Sequence, residues 1–68
     1  MMIKTGVLAA KFAGQNLPLQ VLRSRSGYYI GTVNEEGPVS RESVEYFKSD
    51  KLASKALEQG NWTQREYI

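Results

Sequence analysis

A chain of 68 residues and 7.7 kDa has room for one domain, 1–68, whose core buries only about 60% of the surface that the unfolded chain exposes. It contains no cysteine and no histidine. That rules out a disulfide and any thiol or imidazole chemistry and argues against a zinc site, so neither metal nor cofactor is expected. Nine basic and seven acidic residues leave a net charge of +2, an excess that permits contact with nucleic acid without demanding it.

Met1-Met2-Ile3-Lys4 followed by Val7 to Ala10 has the outline of a leader, but Lys11 breaks the apolar run before it reaches the length of an h-region. No stretch approaches a membrane span, and the expectation is a cytoplasmic protein with no membrane partner. In "TGVLAAKFAG", Leu8, Ala10 and Phe12 alternate with Val7, Ala9 and Lys11. This period of two predicts a first strand from about Thr5 to Ala13. Gly14-Gln15-Asn16 supplies a turn, and Pro18 suits the first position of a strand. A second strand is predicted over Leu19 to Ser24 and a third over Tyr28 to Asn34, the latter rich in aromatic and β-branched residues. Between them, either Arg25-Ser26-Gly27 forms a three-residue loop with Gly27 at positive φ, or Ser26-Gly27 forms a two-residue loop. The two alternatives exchange the faces of every cross-strand pair. Glu35-Glu36-Gly37 repeats the same turn chemistry and leads into Pro38.

Val39 to Phe47 reads as a fourth strand, with Val44 and Tyr46 alternating against Glu45 and Phe47. A short helix from Ser40 competes, because Val44 and Phe47 also fit helical spacing. Ser49 has the chemistry of an N-cap and Asp50 suits the positive end of a helix. Leu52, Ala53, Ala56 and Leu57 form an apolar stripe, and Gly60 stands where a C-cap takes positive φ, so a helix is predicted over Asp50 to Gln59. After Asn61, "WTQREYI" could form a last short strand with Trp62 closing the edge of the core. The predicted fold is α+β: a single antiparallel sheet of four or five strands with one helix packed on one face, ββββα or ββββαβ.

Little in the chain points to catalysis. Tyr29-Ile30-Gly31-Thr32 is similar to the second half of the GIY-YIG nuclease motif, and such nucleases also need an upstream Gly-Ile-Tyr strand, a helical arginine and a metal-binding glutamate. Only "KTGVLAAKF" lies upstream, and Gly31 reads better as relief of crowding within a strand. General acid–base work would fall to Glu35, Glu36, Glu42, Glu45, Asp50, Glu58 or Glu66, while Ser40 and Ser43 have no histidine to act as base. No catalytic residue is predicted, and the chain is not expected to be an enzyme.

Binding is the better reading. Arg23, Arg25 and Tyr28 cluster at one hairpin end, and with Arg41 they are the candidate residues for a nucleic-acid or protein partner. Against nucleic acid stand Glu35, Glu36, Glu42 and Glu45, which would repel phosphates. Tyr28, Tyr29, Tyr46, Trp62 and Tyr67 are a generous aromatic supply for so small a core, and Tyr, Trp and Arg are enriched at protein-binding hot spots. The edge of the first strand, "VLAAKF", carries one lysine as protection and could pair with its copy in a homodimer.

Two resemblances bear on this. The order of hairpin strands, "YFKSDKLASKAL" and a packed helix is similar to the arm-type DNA-binding domains of phage tyrosine integrases, with Phe47, Ser49, Ala53 and Ala56 at matching places over Arg25 to Asn61. Those four residues also have structural roles, as core plug, N-cap and close helix–sheet packing. Over a longer span, Leu19 to Arg65, "GYYIGTVNEEGPVSRESVEYF" and "ALEQGNWTQR" resemble short uncharacterised bacterial proteins carried on plasmids, phages and integron cassettes. That resemblance implies an accessory gene and brings no catalytic residues. The function expected is therefore an accessory interaction protein that binds a protein partner, with a DNA- or RNA-binding module using the Arg23–Tyr29 hairpin as the alternative.

Overall fold

A computed structural model describes residues 4–67. The leader-like Met1 to Ile3 and the final residue of "WTQREYI", Ile68, lie outside the described residues. The elements run α1 (Val7–Ala13), β1 (Gln20–Ser24), β2 (Gly27–Asn34), β3 (Gly37–Arg41) and α2 (Asp50–Gln59). The strands form one antiparallel sheet in the order β1-β2-β3. The fold is α+β with an antiparallel sheet, as the sequence implies. Among the described residues it has three strands rather than four or five, and two helices rather than one.

Both hairpins turn through two residues, the first of them one position earlier than its two-residue alternative. Ser24 pairs with Gly27 and Asn34 with Gly37, so each loop holds two residues, Arg25-Ser26 and Glu35-Glu36. Neither register considered from sequence is the observed one. The signal that was legible is the glycine: Gly27 has φ 127° and Gly37 φ 126°, where a side chain would be strained. In each turn the residue before the loop fixes the chain. Ser24 Oγ accepts from Ser26 N–H at 3.2 Å, and Asn34 Oδ1 accepts from Glu36 N–H at 2.9 Å. The second hairpin is irregular between Thr32 and Val33, where pairing skips Val39. Gly31 faces the carbonyl of Ser40 so closely that a Cβ there would lie 2.3 Å from it. This is the crowding that its place in the strand implied.

α2 forms over the predicted residues. Ser49 Oγ accepts from Leu52 N–H at 3.1 Å, and Gly60 closes the helix at φ 69°. Ala53 and Ala56 are buried, and the helix packs on β1 and β2. Leu52, placed by its spacing in the apolar stripe, is instead half exposed.

The predicted first strand is the helix α1. Its alternation placed apolar residues on both faces, so the period of two carried little information; of its residues only Val7 is β-branched, while Leu, Ala and Lys favour helix. Its buried residues, Leu8 and Ala9, are neighbours, and the helix packs against β3. The strand edge expected to pair in a homodimer is therefore not there. Gly6, the N-cap, has no side chain to offer, and a Cβ on it would lie 2.5 Å from Thr32 Cγ2. The cap comes from Glu42, whose Oε1 accepts from Leu8 N–H at 2.9 Å and Oε2 from Ala9 N–H at 3.1 Å.

The strand expected over Val39 to Phe47 stops at Arg41, and the competing helix from Ser40 does not form. Glu42 and Ser43 both donate their N–H to Ile30 carbonyl, and Ser43 Oγ accepts from Ile30 N–H. The chain then loops out and rejoins β2 only at Phe47, which exchanges backbone hydrogen bonds of 2.6 and 2.9 Å with Tyr28. The final segment makes one isolated bridge, Ser43 with Gln64, in place of a strand. Trp62 is half-buried.

Candidate nucleic-acid interface

Three pieces of chain meet at the end of the sheet where β1 turns into β2. The Arg25-Ser26 loop is the first. The second is Phe47, whose carbonyl would lie 2.8 Å from a Cβ on Gly27. The third is the N-terminus of α2, which begins three residues later at Asp50, behind the Ser49 cap. Each brings a cation. Arg23 and Arg25 come from the hairpin, Lys48 follows Phe47 and Lys51 lies in the first turn of α2, and all four are exposed. Asp50 is the acid among them, favoured there by the helix dipole and engaged by Ser54 Oγ at 3.3 Å.

Of the residues predicted to bind, Arg23, Arg25 and Tyr28 belong to this end. Arg23 and Tyr28 are direct cross-strand partners, and the guanidinium carbon lies 5.8 Å from the centre of the half-buried tyrosine ring. Arg41 does not join them. It pairs with Gly31, three residues along β2 from Tyr28 and hence on the opposite face of the sheet. There its guanidinium lies 4.6 Å from the Tyr46 ring and donates to the Tyr46 hydroxyl. Tyr46 in turn meets Tyr29 edge to face at 6.1 Å. Burial, with Tyr46 beside it, pushes the Tyr29 hydroxyl above its usual range against the opposing pull of Arg41. Sequence reasoning missed Lys48 and Lys51. The predicted N-cap at Ser49 marks both as flanking a helix start, but nothing local says that this start lies beside the hairpin.

Of the acids that spoke against phosphate contact, two are at the far end of the sheet and two are occupied by hydrogen bonds. Glu35 and Glu36 form the turn at the opposite end of β2, roughly 23 Å away at the usual rise of a strand. That exceeds two Debye lengths at physiological salt. Glu45 turns its carboxylate onto Thr63 N–H at 2.9 and 3.1 Å; those bonds outweigh partial burial and hold it below the usual glutamate range. Glu42 is fully buried. Burial alone would raise its pKa, but hydrogen bonds from Leu8, Ser40, Gln64 and Ala9 outweigh it and lower the value below the ordinary one. All four of its partners are neutral donors, with Ser40 Oγ at 2.5 Å and Gln64 Nε2 at 2.8 Å. A carboxylate so occupied has no free lone pair to abstract a substrate proton. Among the described residues, no three His, Cys, Asp or Glu side chains group closely enough to hold a metal ion, and no helix is long and apolar enough to cross a membrane.

No protein-family model, no curated protein and no solved structure gives a significant match to this chain.

Proposed function

We propose that the protein is a small nucleic-acid-binding module that holds a phosphate backbone at its basic end and performs no chemistry on it. The observation that carries this reading is the segregation of charge. Arg23, Arg25, Lys48 and Lys51 are exposed on the segments that meet at one end of the sheet, with Asp50 among them, while Glu35 and Glu36 form the turn at the other end, Glu42 is buried and Glu45 is held by Thr63. Exposed cations on three separate chain segments make a surface able to follow a backbone, and half-buried Tyr28 offers a ring edge beside them. The order of hairpin, connecting segment and helix, which resembles the integrase arm-type domains, supports the same reading. The resemblance to short accessory proteins of mobile elements is compatible with it and equally with a host-protein partner.

A protein partner is the second reading. Val7 and Tyr67, both exposed, line one shallow groove with Lys11 and Glu66. This apolar surface has mixed charge around it, whereas at the basic end four exposed cations outnumber the one acid, Asp50, and the first reading is preferred for that reason.

The test is fluorescence anisotropy with a labelled duplex and a labelled single strand over a range of salt. The proposal expects affinity to fall steeply with salt, and Arg25→Glu and Lys48→Glu each to weaken binding by about tenfold, as expected when a phosphate contact becomes a repulsion. Lys11→Glu, on α1, should bind as the unsubstituted protein does. Equal losses from Lys11→Glu and Arg25→Glu would reduce the interaction to net charge and remove the site.

A further inference from the structure

Residues 4–19 form a flap around α1. Its ends are joined by Gly6 N–H to Leu17 carbonyl and Leu19 N–H to Lys4 carbonyl, both 2.9 Å. The helix between them has seven residues, too few to persist in water without support. The flap is attached to the rest of the molecule through one face of α1 and a few polar contacts. Leu8 and Ala9 are buried, Asn34 Nδ2 donates to Gln15 Oε1 at 3.2 Å, and Glu42 accepts the two N–H groups of the first helical turn. Val7 and Phe12 lie half exposed on its outer side.

We infer that the Glu42 carboxylate is a latch, and that the flap leaves the sheet as a unit when this group is protonated or replaced, while the hairpins and α2 stay folded. The chemistry of the pocket favours release over collapse. Thr32 Oγ1 and Ser40 Oγ share a hydrogen bond of 2.6 Å in which either oxygen can donate, and Ser40 also donates to Glu42. A protonated Glu42 can donate to Ser40, and the hydroxyl chain reverses to accept that bond. Thr32 Oγ1 then ends the chain, and its O–H donates to water as the flap lifts. On the helix side, the two N–H donors and the positive end of α1 lose the negative charge that holds them.

Among the described residues, the groups that hydrogen-bond to Glu42 are all neutral. On the elements around Glu42, Lys11 lies over the Phe12 ring, Arg41 over Tyr46, and Arg65 donates to Arg41 carbonyl. The lowered pKa of Glu42 sets the direction of the switch. Its contribution is fully present above the unfolded value, taken as 4.5, and is lost as pH falls through the lower folded value. Glu45 shifts in the same direction but holds Thr63, away from the flap.

Native-state hydrogen exchange on the full chain tests this, with protection factors followed from neutral pH down through the carboxylate range. The latch predicts that the amides of Gly6, Ala10, Gln15 and Leu19 lose protection together as pH falls, while those of Tyr28 and Ala56 keep theirs. At neutral pH, Glu42→Gln should lower flap protection by about tenfold or more, the effect of losing a charge-assisted hydrogen bond. Glu45→Gln should leave the flap unchanged. Simultaneous loss of protection in flap and core on acidification would overturn the latch, as would an equal effect of Glu45→Gln. If Glu42→Gln does not fold, the pH series on the unsubstituted protein decides alone.

Discussion

At one end of β2 the chain turns through Arg25 and Ser26; at the other it turns through Glu35 and Glu36. The backbones are near copies. Each turn is opened by a side-chain oxygen that accepts the N–H two residues on, and each closes on a glycine near φ 126°. The residues that shape these turns are Ser24, Gly27, Asn34 and Gly37. The residues at the tips are free of that duty, and there the two ends diverge in charge. Geometry and electrostatic field are thus written in different positions, so charge can be segregated along β2 at no structural cost.

The two ends also differ in what surrounds them, and the predictions begin there. Gly27 is pressed against Phe47 carbonyl, whereas a Cβ on Gly37 would meet open space. Gly27→Val should therefore cost about 2–4 kcal/mol, combining backbone strain with a clash that moves Phe47. Gly37→Val should cost about 1–2 kcal/mol from strain alone. Urea midpoints measure both, and equal shifts would mean that Phe47 does not pack against the first turn. A smaller difference concerns binding. Arg25→Ala should lower the slope of log affinity against log salt by about one, the signature of a lost phosphate contact. Glu36→Ala should leave that slope unchanged, and a matching change there would dissolve the distinction between the ends. The smallest effect is on stability: Arg25→Ala should stay within about 0.5 kcal/mol, as for an exposed loop residue. Arg23→Ala should lose slightly more, about 0.5–1 kcal/mol, for its contact with the Tyr28 ring. A larger drop in melting midpoint for either would make these arginines structural.

The two helices show why part of the fold was legible in the sequence and part was not. Every instruction for α2 is local: Ser49 caps it, Asp50 opens it, Ala53 and Ala56 pack it and Gly60 ends it. Its predicted and observed limits coincide. For α1 the N-terminal instruction comes from Glu42, more than thirty residues away, and Gly6 conceals it by being small enough to let that carboxylate approach. No periodicity within "VLAAKFA" reports such a partner. Residues 42–47 failed for a related reason: Ile30 engages Glu42 and Ser43 at once, so the strand breaks where its alternation still continues. Of the basic end, the hairpin half was visible because turn glycines are visible. Lys48 and Lys51 join it through the pairing of Phe47 with Tyr28 and the packing of α2 on β1 and β2, and Arg41 leaves it through a register that two-residue loops decide.

The central claim is that the Arg25 end of the sheet binds a nucleic-acid backbone. An amide NMR titration with a mixed-sequence duplex and a single-stranded oligonucleotide, at low and at physiological salt, tests it most directly. The account predicts shifts confined to residues 23–28 and 47–51 that weaken as salt is raised, with the amides of Glu35 and Glu36 unmoved. A spectrum indifferent to both oligonucleotides, or shifts centred on the Glu35-Glu36 turn, would contradict it.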